Sequence, residues 1–92
     1  MAILHLLRPF SELVVSDGGQ RYVARACVAA QPDGRWDRWL IFLPFGHGLP
    51  LATDREIIES TFRGVKSWAE AMTRTDLQGA LRRARACWPG CF

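Results

Sequence analysis

Two histidines and three cysteines are the side chains of this 92-residue chain best suited to proton transfer, nucleophilic attack or metal binding near neutral pH. Their spacing limits what they can do. His5 falls in a segment expected to be an N-terminal tail, and His47 sits within Gly46-His47-Gly48. Neither has a Ser, Cys or acid beside it in a nucleophile–base pattern. The glycines around His47 lack the strand, loop and helix setting in which a glycine-rich segment cradles phosphate, so a solvated loop histidine is expected. Cys87-Trp88-Pro89-Gly90-Cys91 misses the Cys-x-x-Cys spacing of thioredoxin-like sites and of most zinc sites. A zinc ion would have to recruit Cys27, His5 or His47 from afar. No metal, cofactor or small-molecule ligand is expected, and the cysteines are read as free thiols.

The charged residues offer recognition rather than bond-making. Asp54, Glu56 and Glu59 would converge only if their segment were helical, and beside Arg55 and Arg63 they read as solubilising charges. The net charge is +3, and of twelve basic residues only Lys66 is a lysine. Arginine's planar fork suits phosphates and carboxylates, although an arginine-biased coding sequence gives the same composition with no such partner. The densest feature is Arg82-Arg83-Ala84-Arg85, with Arg63, Lys66 and Arg74 upstream. On a helix, residues 82 and 85 are neighbours, which makes Arg74, Arg82, Arg83 and Arg85 the candidate nucleic-acid-binding residues. The competing role for arginines in a last helical turn is to complement the helix dipole, with no partner needed. No segment carries the aromatic and glycine pattern of an RNA-recognition sheet.

These residues must be positioned by one small domain. The chain is 49% apolar, with four Trp and five Phe, too hydrophobic for a disordered polymer and too short for a second domain. A core this thin invites completion by a partner subunit. The longest apolar run, Ala2 to Leu7, is interrupted by His5 and ends at Arg8, far short of the roughly 20 residues needed to cross a bilayer. With no signal-peptide pattern, no membrane association and a cytoplasmic location are expected.

Along the chain, Glu12 to Ser16 reads as a strand closed by the turn Asp17-Gly18-Gly19-Gln20. The return strand, Arg21 to Ala29, alternates Tyr22, Ala24, Ala26 and Val28 on one face, and their small size indicates close packing above them. Gln31-Pro32-Asp33-Gly34-Arg35 is a second turn. Trp36 to Leu43 follows as a strand apolar on both faces, and Pro44 to Pro50 as a loop. Thr53-Asp54-Arg55-Glu56 fits a helix capping box, but the β-branched Ile57-Ile58 favour extension, so a strand is expected near 50 to 54, with a possible continuation to about residue 59. Val65, Trp68, Ala69 and Met72 have the spacing of a buried helix face. A second helix is expected from a capping box at Thr75-Asp76-Leu77-Gln78, burying Leu77, Ala80, Leu81 and Ala84.

Tyr22-Val23-Ala24-Arg25-Ala26-Cys27, Asp33-Gly34-Arg35-Trp36-Asp37-Arg38-Trp39-Leu40-Ile41-Phe42-Leu43-Pro44, Thr53-Asp54-Arg55-Glu56, and Trp68-Ala69 with Leu77-Gln78-Gly79-Ala80-Leu81 together resemble a family of short bacterial proteins. The resemblance covers residues 9 to about 86. It implies a self-contained domain that forms a whole protein, and it brings no activity, ligand or catalytic residue with it. Ile57-Ile58 stand where that family carries polar residues.

The expected architecture is α+β: a four-stranded antiparallel meander with two C-terminal helices packed on one face, as a single domain over residues 1–92 with tails at 1–9 and 88–92. Trp39, Ile41 and Leu43 are expected beneath the helices, against Trp68 and Leu81. Trp36, Arg38, Leu40 and Phe42 then face outward as a candidate interaction surface. The expected function is that of a noncatalytic interaction module binding itself or another protein, with nucleic-acid binding as the alternative.

Overall fold

The computed structural model describes the backbone of residues 3–87 and the side chains of residues 13–87. Its elements are β1 (Ile3–Val15), β2 (Arg21–Ala30), β3 (Trp36–Pro44), β4 (Leu51–Ala52), β5 (Glu56–Ile58), α1 (Phe62–Glu70), α2 (Arg74–Arg83) and β6 (Arg85–Ala86). The fold is α+β, an antiparallel sheet ordered β1-β2-β3-β4-β6 with β5 also paired to β3. Among the described residues no helix is long and apolar enough to cross a membrane.

Both expected turns form where glycine supplies a left-handed backbone. Gly19, at φ 86°, donates to Ser16 O at 2.9 Å, and Gly34, at φ 88°, donates to Gln31 O at 3.1 Å. The second turn sets the hairpin register, with Ala30 opposite Trp36 and hence Ala26 opposite Leu40 and Ala24 opposite Phe42.

Directly opposed residues share a face of the sheet, and this register reverses the expected sides of β3. Tyr22, Ala24, Ala26, Leu40 and Phe42 form one buried cluster with Val14 and with Ala69, Leu77, Ala80 and Leu81 from the helices. Leu40 and Phe42 are therefore core residues beneath α1 and α2. The small side chains of β2 leave room that these larger ones and the helices fill. Trp39 and Ile41 lie on the other face in a second cluster with Cys27 and Ala29, with Ala52 and Cys87 packed against it. Trp39 is buried, as expected, at 2% exposure, but in this second cluster rather than among the helix residues.

The segment expected to be a tail at 1–9 is a strand from Ile3 onward, paired with β2 from Ile3 opposite Ala30 to Pro9 opposite Arg25. Pro9 is tolerated because β1 is an edge strand and the register slips immediately after it, between Pro9 and Leu13. His5 is accordingly a strand position, opposite Val28. Residues 88–92, the other expected tail, lie outside the described residues.

The helices start from side-chain caps. Thr61 accepts from Gly64 N at 3.1 Å at the head of α1. At the head of α2, Thr73 accepts from Asp76 N at 3.2 Å while Asp76 accepts from Thr73 N at 3.0 Å. The capping box thus begins at Thr73, two positions before the expected Thr75, because Asp76 at the third helical position reaches back only to Thr73. The same hydrogen bonds hold the Asp76 carboxyl below the usual carboxylate range.

Candidate functional site

The second capping-box sequence, Thr53-Asp54-Arg55-Glu56, does not open a helix because Thr53 is committed to the sheet. Its N–H donates to Leu40 O and its hydroxyl accepts from Leu40 N, both at 3.0 Å. On either side of it, β4 and β5 both pair with β3: Ala52 lies opposite Ile41 and Glu56 opposite Arg38. Four positions along this strand match three on β3, so Thr53-Asp54-Arg55 is a β-bulge within a single interrupted strand. Bulges re-aim side chains and recur beside functional sites.

Here the bulge sends Arg55 across the second cluster, with its guanidinium 4.1 Å from the centre of the Trp39 ring and 3.8 Å from Asp37 Oδ2. Asp37, 7% exposed, also accepts from Gln31 Nε2 at 2.8 Å. On the helix side, Arg38 lies 5.1 Å from the Trp68 ring centre and donates to Glu56 Oε1 at 2.8 Å. Each cation therefore faces both an aromatic ring and an acid, an arrangement that fixes side chains more firmly than a solvated ion pair. Asp37 Oδ1, Arg38 Nε and Trp39 Nε1 are nonetheless buried without a hydrogen-bond partner, so β3 carries three consecutive under-satisfied side chains at this point. A cleft of about 440 Å³ lies on the Arg55 side, and one of about 220 Å³ on the Arg38 side.

Beyond the bulge, the outer side of β5 pairs with no described strand. Ile57, at its centre, is 56% exposed. Phe62, the first residue of α1, is 46% exposed, and its ring lies 5.8 Å from that of Trp36. Of the four residues expected to form an interaction face, Leu40 and Phe42 are thus in the core. Trp36 and Arg38 are half-buried on β3 beside β5.

The four candidate nucleic-acid residues do not form one face. Arg74 and Arg82 flank the same shallow groove on α2, whereas Arg83 lines the clefts toward Leu40 and Met72. Arg85 lies beyond the helix in β6, 2.7 Å from Asp54, and Arg82 is 3.5 Å from Asp17. Arg82 and Arg83 close the last turn of α2, where they complement its dipole.

His47 is exposed in the Pro44 to Pro50 loop. Among the described residues no three of His, Cys, Asp and Glu come together as a metal site requires. Cys27 is a buried free thiol, and burial pushes it up to about 11 despite the opposing pull of Arg55 and Arg25. Cys87 is disulfide-bonded, which corrects the expectation of free thiols throughout.

The sequence reading allowed a strand to run through these residues but did not mark its edge as a candidate site, because Asp54, Arg55, Glu56 and Glu59 looked like ordinary surface charge. The available signal was Ile57-Ile58, an apolar pair set among those charges. No protein-family model, curated protein or solved structure matches the chain.

Proposed function

We propose that this chain is a noncatalytic protein-interaction module whose partner is a second copy of itself. One observation carries this: a sheet edge unpaired among the described residues bears Ile57, more than half exposed, at its centre. An unpaired edge offers backbone donors and acceptors to another strand, and an apolar side chain at its centre rewards the pairing. Arg55, 45% exposed where it covers the Trp39 ring at the adjoining bulge, is of a residue type enriched among interface hot spots.

Arg74, Arg82, Arg83 and Arg85 fit a phosphate backbone less well, since Arg82 and Arg85 already face acids of the same chain and only Arg74 and Arg82 share a groove.

Sedimentation equilibrium from about 1 μM to about 300 μM spans the affinities of small transient interfaces. The weight-average mass is expected to rise from monomer toward dimer across that range. A chain that stays monomeric throughout overturns the proposal.

A further inference from the structure

The charges that flank Ile57 specify how a second copy would bind. Building on the self-association proposed above, we propose that two copies pair antiparallel through the outer edges of β5. Ile57 lies on the twofold axis, and Arg55 of each copy faces Glu59 of the other.

The register follows from the face each residue occupies. Ile57 is opposite Asp37, so it shares the face of Asp37 and Trp39, and Arg55 reaches that same face to cover the Trp39 ring. Side chains alternate along an extended chain, which places Glu59 on this face as well. The order along it is cation, apolar residue, anion. That order is its own complement when the chain is reversed, as a twofold axis through an antiparallel pair requires. Centred on Ile57, residue 55 meets 59, residue 56 meets 58 and residue 54 meets 60. Opposite charges then face each other twice, and no two like charges are opposed.

Neighbouring registers lose this match. A slip of one residue sets Glu56 against Glu59 in one direction and Asp54 against Glu59 in the other. Centring on Glu56 opposes that acid to its own copy, and centring on Ile58 pairs no opposite charges. Like charges directly across a strand pair repel, so the sequence selects one register in the way natural edges limit unwanted pairing.

Both charged side chains are accessible for this. Arg55 is 45% exposed. Glu59 is exposed, with Arg35 as its nearby cation, and Arg35 is itself held by Asp33 at 2.6 Å. Because β5 is only three residues long, the contact is small and reversible, in the class of transient interfaces.

Charge reversal tests the register. Sedimentation equilibrium is run on the intact chain, on Glu59→Arg, on Arg55→Glu, and on an equimolar mixture of the two variants. Each reversal alone sets like charges together at both symmetry-related contacts and is expected to weaken dimerisation about tenfold. The mixture restores both pairs in a heterodimer and is expected to return to within about threefold of the parent chain. Arg55→Glu also removes the stack on Trp39, so its circular dichroism is compared with the parent. Should it unfold, Glu59→Arg and Ile57→Lys, both at exposed positions, are each expected to give the same loss.

Dimerisation unchanged by Glu59→Arg and Ile57→Lys overturns the β5 interface while leaving self-association standing. Weakening by both reversals without rescue in the mixture overturns the register. A parent chain that never dimerises removes this inference together with the function it rests on.

Discussion

Replacing Phe42 with alanine tests whether it lies in the packed core between the sheet and the helices. Phe42 is fully buried. Its cross-strand neighbours are Ala24 and Leu51, and Ala69, Leu77, Ala80 and Leu81 from the helices belong to the same cluster. Removing a buried phenyl ring destabilises a domain by about 3 to 5 kcal/mol, through lost transfer energy plus the void left behind. The value here belongs in the upper half of that range. Ala24, Ala26, Ala69 and Ala80 present methyl groups fixed directly to the backbone, so the surroundings cannot swing inward to fill the space. A chain of this length has roughly 5 to 14 kcal/mol of total stability, so Phe42→Ala removes a large share of it.

The matched control is Phe45→Ala, three positions along the chain. Phe45 is 60% exposed, with the Arg21 guanidinium 5.7 Å from its ring centre, and its truncation should change stability by less than about 1 kcal/mol. Urea denaturation followed by tryptophan fluorescence and far-UV circular dichroism measures both, provided the m-value is unchanged. Equal losses for the two variants, or a loss below about 2 kcal/mol for Phe42→Ala, would refute the placement of the even-numbered β3 residues beneath the helices.

Two further perturbations probe separate parts of the fold. Thr73→Ala should destabilise by about 1 kcal/mol through loss of the α2 cap, whereas Thr75→Ala should stay within about 0.5 kcal/mol; urea midpoints separate the two. For Cys27, burial raises the folded-state value to about 11 from 9.0, so the folded chain keeps a proton that the unfolded chain releases first. Its influence on stability is absent below about pH 9, and stability falls between about pH 9 and 11 by on the order of 1 to 2 kcal/mol after allowance for screening. Thermal melts across that window should show a decline that Cys27→Ala reduces, and identical slopes for the two chains would show that the thiol is not the group responsible.

Much of the architecture was legible in local sequence signals. Asp17 to Gln20 and Gln31 to Arg35 form the expected turns because glycine supplies the positive φ that each requires. Val65, Ala69, Leu77, Ala80 and Leu81 form the buried helix stripes that their spacing indicates. The faces of β3 were harder, since alternation fixes which residues go together and not which side they take. The missing step was the hairpin register: with Ala30 opposite Trp36, the alanines of β2 share their face with Leu40 and Phe42, and small residues beneath helices imply large ones beside them. Ile3 to Pro9 was obscured by Pro9, which breaks a central strand but not an edge strand at a bulge. The break between β4 and β5 could not be seen locally, because it depends on Thr53 bonding to Leu40, a residue 13 positions earlier.

The bulge connects these local events to the proposed interface. If β4 and β5 ran as one regular strand in the register of β4, Arg55 would fall opposite Arg38 and Ile57 opposite Trp36, and a shift of one position reverses every side chain's face. Arg55 would then leave the side it shares with Trp39, and the row Arg55, Ile57, Glu59 would turn to the helix side of the sheet. The hydroxyl of Thr53 replaces part of the ladder lost at the irregularity, bonding the Leu40 N–H that a regular partner strand would otherwise satisfy. Thr53→Val keeps the β-branched shape and removes only that acceptor. Leaving a part-buried N–H unpaired should destabilise by about 1 to 2 kcal/mol, and, because the bulge aims Arg55, the loss should be accompanied by weaker self-association. Stability lost with dimerisation unchanged would mean that the bulge serves the fold alone.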